Sequence, residues 1–231
     1  MLKFYYNTGP NPMKIALCLE EMGIEYEAIP VDTRKGEQHA SSYIAINPNA
    51  KAPSIVDEGN VIFDSNAILL YLAEKTGKFI PDNTPKSRAN LLSWLMFVAT
   101  GIGPYSGQSV HFQHMAPEKI KYAINRYVFE AERHYDILND RLANNKYMLG
   151  DTYTIVDMCV WGWTRMLPKV IGEGELEKRV NLNRLMTEIN ERPASQRATN
   201  INVSNNHNFK VEIDEEASRY MFPQNERLKH V

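Results

Sequence analysis

The periodicity of apolar and polar positions changes near residue 80. Short apolar runs alternate with helical periodicity before that point, whereas helical periodicity dominates after it. The elements predicted in the first part are a strand over 2–6, a helix over 12–22, a strand over 26–31, a short helix or loop over 36–45, a hairpin over 54–63 and a helix from residue 65. This order predicts a mixed four-stranded sheet with helices on its faces.

The segment 47–76 carries the densest local signals. Pro53 stands directly before a short apolar run, where the first residue of a strand needs no amide donor. Turn-forming residues over 57–60 then separate two β-rich runs, so the sequence predicts a hairpin. Asp64 and Ser65 begin the helix that follows. The start of this helix offers free backbone amides and a hydroxyl, which together form a good receptor for a carboxylate.

The second part of the chain predicts an all-helical domain. One long helix extends from Ser87 toward residue 114, with interruptions at Gly101 and Gly103, and another covers 118–144. Thr154 and the acid three residues later form a capping box before an apolar run. An asparagine-rich polar stretch covers 200–208. We therefore expect domains at 1–81 and 86–198 and an irregular tail at 199–231.

Composition narrows the classes of function. The 26 basic and 28 acidic residues nearly balance, so no basic surface for nucleic acid or membrane is expected. No apolar run has membrane-spanning length and no signal peptide is indicated, so we expect a cytoplasmic protein. Cys18 and Cys159 lie in apolar periodic segments and predict buried structural thiols. His111 and His114 are too weak a pair to predict a metal site.

The ordered motifs from Asn47 onward resemble the glutathione site of cytosolic glutathione transferases. The resemblance rests on Asn47-Pro48, Lys51-x-Pro53, the hairpin, Asp64-Ser65 and the aliphatic helix. It implies a thioredoxin-like N-terminal domain, an all-α C-terminal domain and a cis bond before Pro53. The local pattern alone favours a trans bond, since few X-Pro bonds are cis.

The resemblance also implies which residues would hold glutathione. Ala52, exposed by the cis bond of Pro53, would pair its backbone with the cysteinyl part. Asp64 would meet the glutamyl amine and Ser65 the glutamyl carboxylate. The remaining positions are Gln38 and Lys51 toward the glycyl end, and Arg126 of the helical domain, which would reach the ligand within one subunit or across a homodimer. Taken singly, each of these residues has an ordinary structural explanation.

The loop 6–12 is where a reactive sulfur would sit. Asn11 is placed as a helix N-cap with Pro12 at the first helical position. A thiolate near Ala52 would gain from this polar side chain and from the helix N-terminus. Lowering the pKa of a thiol by one or two units takes only about 1.4 to 2.7 kcal/mol.

Three further runs resemble the Nu-class bacterial transferases. They are Pro10-Asn11-x-x-Lys14, Gly107-Gln108-x-x-His111-Phe112 and Tyr122-Ala123-Ile124-x-Arg126-Tyr127. The resemblance implies disulfide reduction by bound glutathione, with Asn11 and Thr8 as the catalytic residues, although Thr8 stands one position before the threonine of that class. The alternatives are conjugation of glutathione to electrophiles, reduction of organic peroxides, and a non-catalytic binding module on the same scaffold.

Overall fold

Four strands form one mixed sheet near the start of the chain. The structure, a computed structural model, describes residues 1–230. The strands are β1 (Leu2–Tyr6), β2 (Tyr26–Pro30), β3 (Ser54–Asp57) and β4 (Asn60–Phe63). Their order is β2-β1-β3-β4, with β1 parallel to β2 and antiparallel to β3, and β4 antiparallel to β3. The predicted mixed sheet and hairpin are confirmed.

The helices of this part have the spacing that the sequence predicts. They are α1 (Pro10–Met22), α2 (Ser41–Ile44) and α3 (Ser65–Thr76), with a short 3-10 helix at Glu37–His39 before α2. Gly23 ends α1 in the left-handed conformation. Phe4 and Tyr6 point from β1 into the core with their rings stacked 5.4 Å apart, and both are fully buried.

The rest of the chain is helical. The longer helices are α4 (Pro85–Phe97), α5 (Gly103–Val110), α6 (Lys121–Ala143), α7 (Ile155–Thr164) and α10 (Val180–Asn190), and the shorter ones are α8 (Leu167–Val170), α9 (Glu175–Lys178), α11 (Pro193–Thr199), α12 (Ile201–Ser204) and α13 (Glu215–Met221). The predicted interruption near Gly101 is a π-helical segment, Val98–Ile102, and a second one, His111–Met115, follows α5.

Helix α7 forms the centre of the helical core. All of its residues are buried, and the predicted capping box is present, with Thr154 and Asp157 bonding reciprocally. The carboxylate of Asp157 also accepts the amide of Met148 at 2.8 Å, which ties the loop before α7 to its first turn. Within residues 1–230, no helix is long and apolar enough to cross a membrane.

The chain divides into two compact units, Met1–Ile68 with the chain from Arg197 onward, and Leu69–Gln196. This division does not coincide with the expected domains 1–81 and 86–198, and those limits stay a prediction. The segment expected to be an irregular tail contains α12, α13 and a 3-10 helix at Pro223–His230. Helix α13 forms because the Asp214 side chain caps it by accepting the amide of Ala217.

Candidate functional site

Strand register brings several predicted site segments to one edge of the sheet. Tyr5 pairs with Ser54, and Ser54 pairs with Phe63. The end of β1, the start of β3 and the end of β4 therefore meet at this edge. Since β2 runs parallel to β1, it ends there as well. The segments that follow or precede these strand ends carry Asn11, Ala52, Asp64, Ser65 and Gln38.

The peptide bond between Ala52 and Pro53 is cis, as the family resemblance implies. The segment before it is held by two side chains that bond to the carbonyl of Lys51, namely the Tyr43 hydroxyl at 2.8 Å and the Asn47 amide. The backbone of Ala52 makes no hydrogen bond to any residue in the described part of the chain. Its amide and carbonyl are thus available to an extended peptide ligand.

Asp64 is the cap of α3. Its φ of 72° places it in the left-handed region, which non-glycine residues rarely adopt. This conformation lets Oδ1 accept the amides of Asn66 at 2.9 Å and Ala67 at 3.1 Å. The second oxygen, Oδ2, has no partner among the side chains and backbone groups that the structure describes, so an amine has a carboxylate oxygen to bind.

Ser65 faces the first turn of α1. Its hydroxyl donates to Oδ1 of Asn11 at 3.4 Å and accepts from the ammonium of Lys14 at 3.3 Å. The side chain is 6% exposed. The N-terminal turns of α1 and α3 are therefore joined directly at this hydroxyl.

The expectation that Asn11 caps α1 is wrong. The helix begins at Pro10 and its N-cap is Gly9, which has an extended backbone and makes no side-chain capping bond. Pro10 takes the first helical position because its ring already fixes the helical φ. The amide of Gly9 is bonded instead by Oδ1 of Asn7 at 2.9 Å. Asn11 consequently lies inside the first turn, where its side chain contacts Ser65.

Thr8 lies in the same loop with an exposed side chain. It makes no hydrogen bond to another residue that the structure describes. Its catalytic assignment therefore stays a prediction.

Lys14 is a further polar residue at this site, and the sequence patterns assign it no role. It is 1% exposed, and its ammonium donates to Ser65 Oγ at 3.3 Å and to Asn66 Oδ1 at 3.2 Å. The signal was present, because a lysine stands among consecutive core residues of α1 and belongs to the Pro10-Asn11-x-x-Lys14 run.

The C-terminal segment contacts the expected glycyl end of the site. Gln38 is 3% exposed, and its Nε2 donates to the carbonyls of Thr33 at 3.2 Å and Tyr220 at 3.1 Å. Its Oε1 is buried without a partner in the described residues. Beside it is a cavity of about 380 Å³, whose lining includes Gln38, Lys51 and Tyr220.

The same segment reaches the end of β1. Nδ1 of His207 lies 2.9 Å from the Tyr6 hydroxyl, and the Phe209 ring packs edge-on against the Tyr6 ring. Burial raises the pKa of Tyr6 to about 12. A buried hydroxyl that already has a partner does not serve as the donor to an external sulfur, so Asn11 and Thr8 remain the candidate donors.

Two family models match the chain. The glutathione S-transferase N-terminal domain matches residues 1–74 and the C-terminal domain matches residues 98–193. The chain belongs to the glutathione S-transferase family. This membership and the observed sheet confirm the thioredoxin-like N-terminal fold and the helical C-terminal part.

Individual relatives give finer comparisons. The disulfide-bond oxidoreductase YfcG of Escherichia coli K12 is 44% identical over 170 residues, covering 71% of this chain and 79% of YfcG. The disulfide-bond oxidoreductase YghU of the same organism is 37% identical over 220 residues, covering 88% of this chain and 76% of YghU.

A solved glutathione transferase from Pseudomonas putida has one glutathione disulfide bound per subunit. It is 32% identical to this chain and superposes with a TM-score of 0.80, covering 87% of this chain and 91% of that protein.

Arg126 lies on α6 of the helical unit, with its side chain exposed. The simple alternative was an ion pair with Glu130. In the structure Glu130 pairs with Arg133 at 2.9 Å, and Arg126 has no ion-pair partner among residues 1–230. The contact of Arg126 with a ligand stays a prediction.

Neither cysteine of this transferase is available for chemistry at the sheet edge. Both Cys18 and Cys159 are fully buried free thiols, as predicted. Burial raises the pKa of the Cys18 thiol, and the nearby carboxylate of Glu21 raises it further. No group of three or more metal-ligating side chains occurs in the described residues, and His114 instead bonds the carbonyl of Lys169 at 2.9 Å.

Proposed function

We propose that this protein is a glutathione-dependent disulfide oxidoreductase that uses the thiolate of bound glutathione. The observation that carries the proposal is the joined polar site of Asn11 and Ser65 beside the free backbone of Ala52, in a protein whose own thiols are both buried. Because the chain has no accessible thiol of its own, the reactive sulfur comes from the ligand. The names of YfcG and YghU support the choice of disulfide chemistry.

The proposed ligand pose follows the polar groups along the sheet edge. Oδ2 of Asp64 takes the glutamyl amine, and the Ser65 hydroxyl takes the glutamyl carboxylate. The amide and carbonyl of Ala52 pair with the cysteinyl backbone beside cis-Pro53. Lys51 and Gln38 face the glycyl end, where Oε1 of Gln38 is an unused acceptor.

The reaction is a two-step thiol–disulfide exchange. The glutathione thiolate, stabilised by Asn11 and the start of α1, attacks one sulfur of a disulfide. The old S–S bond breaks, a mixed disulfide forms, and the leaving thiolate takes a proton. A second glutathione thiolate attacks the glutathione sulfur of the mixed disulfide. Two glutathiones are oxidised to glutathione disulfide while the substrate is reduced to two thiols.

Parallel assays test this function. The purified chain is given glutathione with a model disulfide, a chloronitroarene or an organic peroxide in separate reactions. We expect disulfide reduction to be the fastest, because exchange needs only modest lowering of the thiol pKa. Strong conjugation or peroxide reduction with negligible disulfide reduction would replace the proposal. Absence of glutathione binding by calorimetry would instead favour a non-catalytic module.

A homodimer of the Nu-class type is part of the proposal, as is a cytoplasmic location. Tyr122 and Phe129 of α6 are 78% and 59% exposed and lie seven residues apart, on one face of the helix. Arg126 lies between them on the same face. If this face is the dimer interface, Arg126 is placed where it can reach a ligand of the partner subunit.

The dimer is tested by Phe129→Glu, which puts a charge on the proposed interface. We expect sedimentation to show a dimer for the unaltered protein and a monomer for the variant. Val203→Glu is the matched control, since Val203 is also exposed, at 68%, but lies on α12. A monomer without any substitution, or a dimer that survives Phe129→Glu, contradicts the assignment.

A further inference from the structure

Lys14 is a buried cation without an anion. It is 1% exposed, and its two hydrogen-bond acceptors, Ser65 Oγ and Asn66 Oδ1, are both neutral oxygens. No carboxylate oxygen of residues 1–230 lies within 4.0 Å of its ammonium. An ammonium has three donors, so one of them has no partner among the described residues.

The groups around Lys14 increase this excess of positive charge. Lys14 lies one turn into α1, and its acceptors belong to the first turn of α3. The N-termini of two helices, each carrying partial positive charge, therefore meet beside the ammonium. Asp64, the acid that precedes Ser65 in the chain, is exposed, and its Oδ1 accepts two amides of α3.

A buried, unpaired charge is unfavourable in a folded protein. The arrangement becomes favourable when a ligand brings the missing anion. Ser65 indicates where that anion would lie. Its oxygen accepts from Lys14, and its proton is the one proposed to bind the glutamyl carboxylate. A donor bond to Ser65 Oγ polarises the hydroxyl and makes its single proton a better donor in turn.

We propose that Lys14 is the buried counter-charge for the α-carboxylate of the γ-glutamyl group, acting beside and through Ser65. This inference rests on the proposed binding of glutathione. Lys14 is a positioning residue in this scheme. On binding, the Ser65 hydroxyl redirects its hydrogen bond from Asn11 Oδ1 to the ligand carboxylate, because one hydroxyl has only one proton to donate. Binding of the carboxylate thereby removes the Ser65 hydrogen bond from Asn11, the side chain assigned to the thiolate.

The test replaces Lys14 by Met, which keeps the length and the apolar stem and removes the charge. We expect the Kd for glutathione, measured by calorimetry, to rise by about tenfold or more. We expect the Tm of the ligand-free protein to stay unchanged or to rise, because an uncompensated buried charge is removed. A purely structural lysine predicts the opposite for stability, namely a lower Tm.

Ligand analogues locate the charge that Lys14 serves. The first is decarboxylated glutathione, in which 4-aminobutanoate replaces the glutamyl group, and the second is γ-glutamylcysteine, which lacks glycine. The unaltered protein should prefer glutathione to the first analogue by about tenfold or more, and Lys14→Met should abolish that preference. The preference over γ-glutamylcysteine should remain. Loss of both preferences together, or of neither, overturns the assignment.

S-methylglutathione separates the carboxylate from the sulfur. If Lys14 serves the carboxylate, Lys14→Met weakens binding of S-methylglutathione as much as that of glutathione. A loss seen only with the free thiol assigns Lys14 to the thiolate and overturns the inference.

Two further variants complete the experiment. Lys3→Met is the matched control, because Lys3 is an exposed lysine of β1 outside the site, and its Kd values should equal those of the unaltered protein. Lys14→Gln, which keeps a neutral donor, replaces Lys14→Met if the latter does not fold. If the unaltered protein fails to bind glutathione, the proposed function falls with the inference. If it binds and both Lys14 variants bind equally well, only the inference falls.

Discussion

The role of Asn11 depends on where α1 begins, because the N-cap lies two positions before the expected one. As an N-cap it would stabilise α1, and its polarity would need no other explanation. With Gly9 as the N-cap, the Asn11 side chain is bonded to Ser65 of another helix. Its replacement should therefore affect the site more than the helix.

Asn11→Ala separates these two roles. We expect the turnover for disulfide reduction to fall by about 10- to 100-fold, the loss typical of one hydrogen bond to a charged group. The free energy of unfolding should change by less than about 1 kcal/mol, because no capping bond is removed. Steady-state kinetics measures the turnover, and urea unfolding measures the free energy of unfolding. An unaltered rate removes Asn11 from the mechanism, whereas a large loss of stability shows a structural role.

Thr8→Ala in the same assay examines the second predicted catalytic residue. We expect a smaller loss of turnover than for Asn11→Ala, because the exposed Thr8 side chain also exchanges hydrogen bonds with water. A loss equal to that of Asn11→Ala would make Thr8 an equal donor to the sulfur.

At the scale of single elements, α7 begins with the capping box of Thr154 and Asp157 that the sequence predicts. The Asp157 carboxylate accepts the amides of Met148 and Thr154 while fully buried. Burial raises the pKa of Asp157 to about 6, and these hydrogen bonds oppose the rise. The folded state therefore holds this proton more tightly than the unfolded state does, where the pKa is near 4.

The stability contribution of Asp157 consequently depends on pH. It is largest below about pH 4 and falls as the pH rises through 6, because the unfolded state loses its proton first. We expect Asp157→Asn to lower the free energy of unfolding more at pH 4 than at pH 7, by on the order of 2 kcal/mol. Urea titrations at both pH values measure this difference, with Asp151→Asn as an exposed control. A larger effect at pH 7 would contradict the prediction.

The contact between the C-terminal segment and Gly36 is a second feature at this scale. Gly36 has a φ of +79°, and an added Cβ would lie 2.7 Å from the ring of Tyr220. Gly59 has a similar φ of +84° with nothing within 4 Å of its Cβ position. Both glycines have a positive φ, but only Gly36 is covered by a ring.

Substituting each glycine by alanine isolates the contribution of Tyr220. Both variants carry the backbone cost of about 1 kcal/mol, and Gly36→Ala must also displace the ring. We expect hydrogen exchange in 215–222 to accelerate in Gly36→Ala and to stay unchanged in Gly59→Ala. Equal exchange in the two variants would show that the ring contact does not hold the segment.

On the scale of the whole molecule, the C-terminal segment decides the shape of the expected glycyl end. Removal of the chain after Arg219 deletes Tyr220 and with it part of the wall of the cavity. It keeps the contact of His207 with the Tyr6 hydroxyl and the hydrogen bond from the Lys210 amide to Oδ2 of Asp32 at 2.7 Å. We expect the KM for glutathione to rise several-fold with little change in kcat, since uniform binding is lost. Removal after Asn205 should in addition lower the Tm, because Tyr6 and Asp32 lose partners. An unchanged KM after the shorter truncation contradicts this role.

Much of the architecture was predictable because its signals are local. Alternating apolar runs, turn residues over 57–60, Gly23 and the Thr154 capping box each act within a few residues, and each appears where the periodicity predicts it. The motif order also predicted the cis bond at Pro53, through the resemblance to the transferases. The roles assigned to Gln38, Lys51 and Arg126 remain predictions.

The sequence by itself determined the family, the mixed sheet, the hairpin and the helical second part, since these depend on short-range patterns. Tertiary structure alone decided that Lys14 is buried beside Ser65, 51 residues away along the chain, and that Gln38 bonds Tyr220, 182 residues away. Periodicity describes which face of an element is apolar, but it does not specify which distant polar group that face meets. The sequence marks Lys14 as a lysine on an apolar helix, but the polar partners of its ammonium, like those of the Gln38 amide, are defined only when the elements are packed.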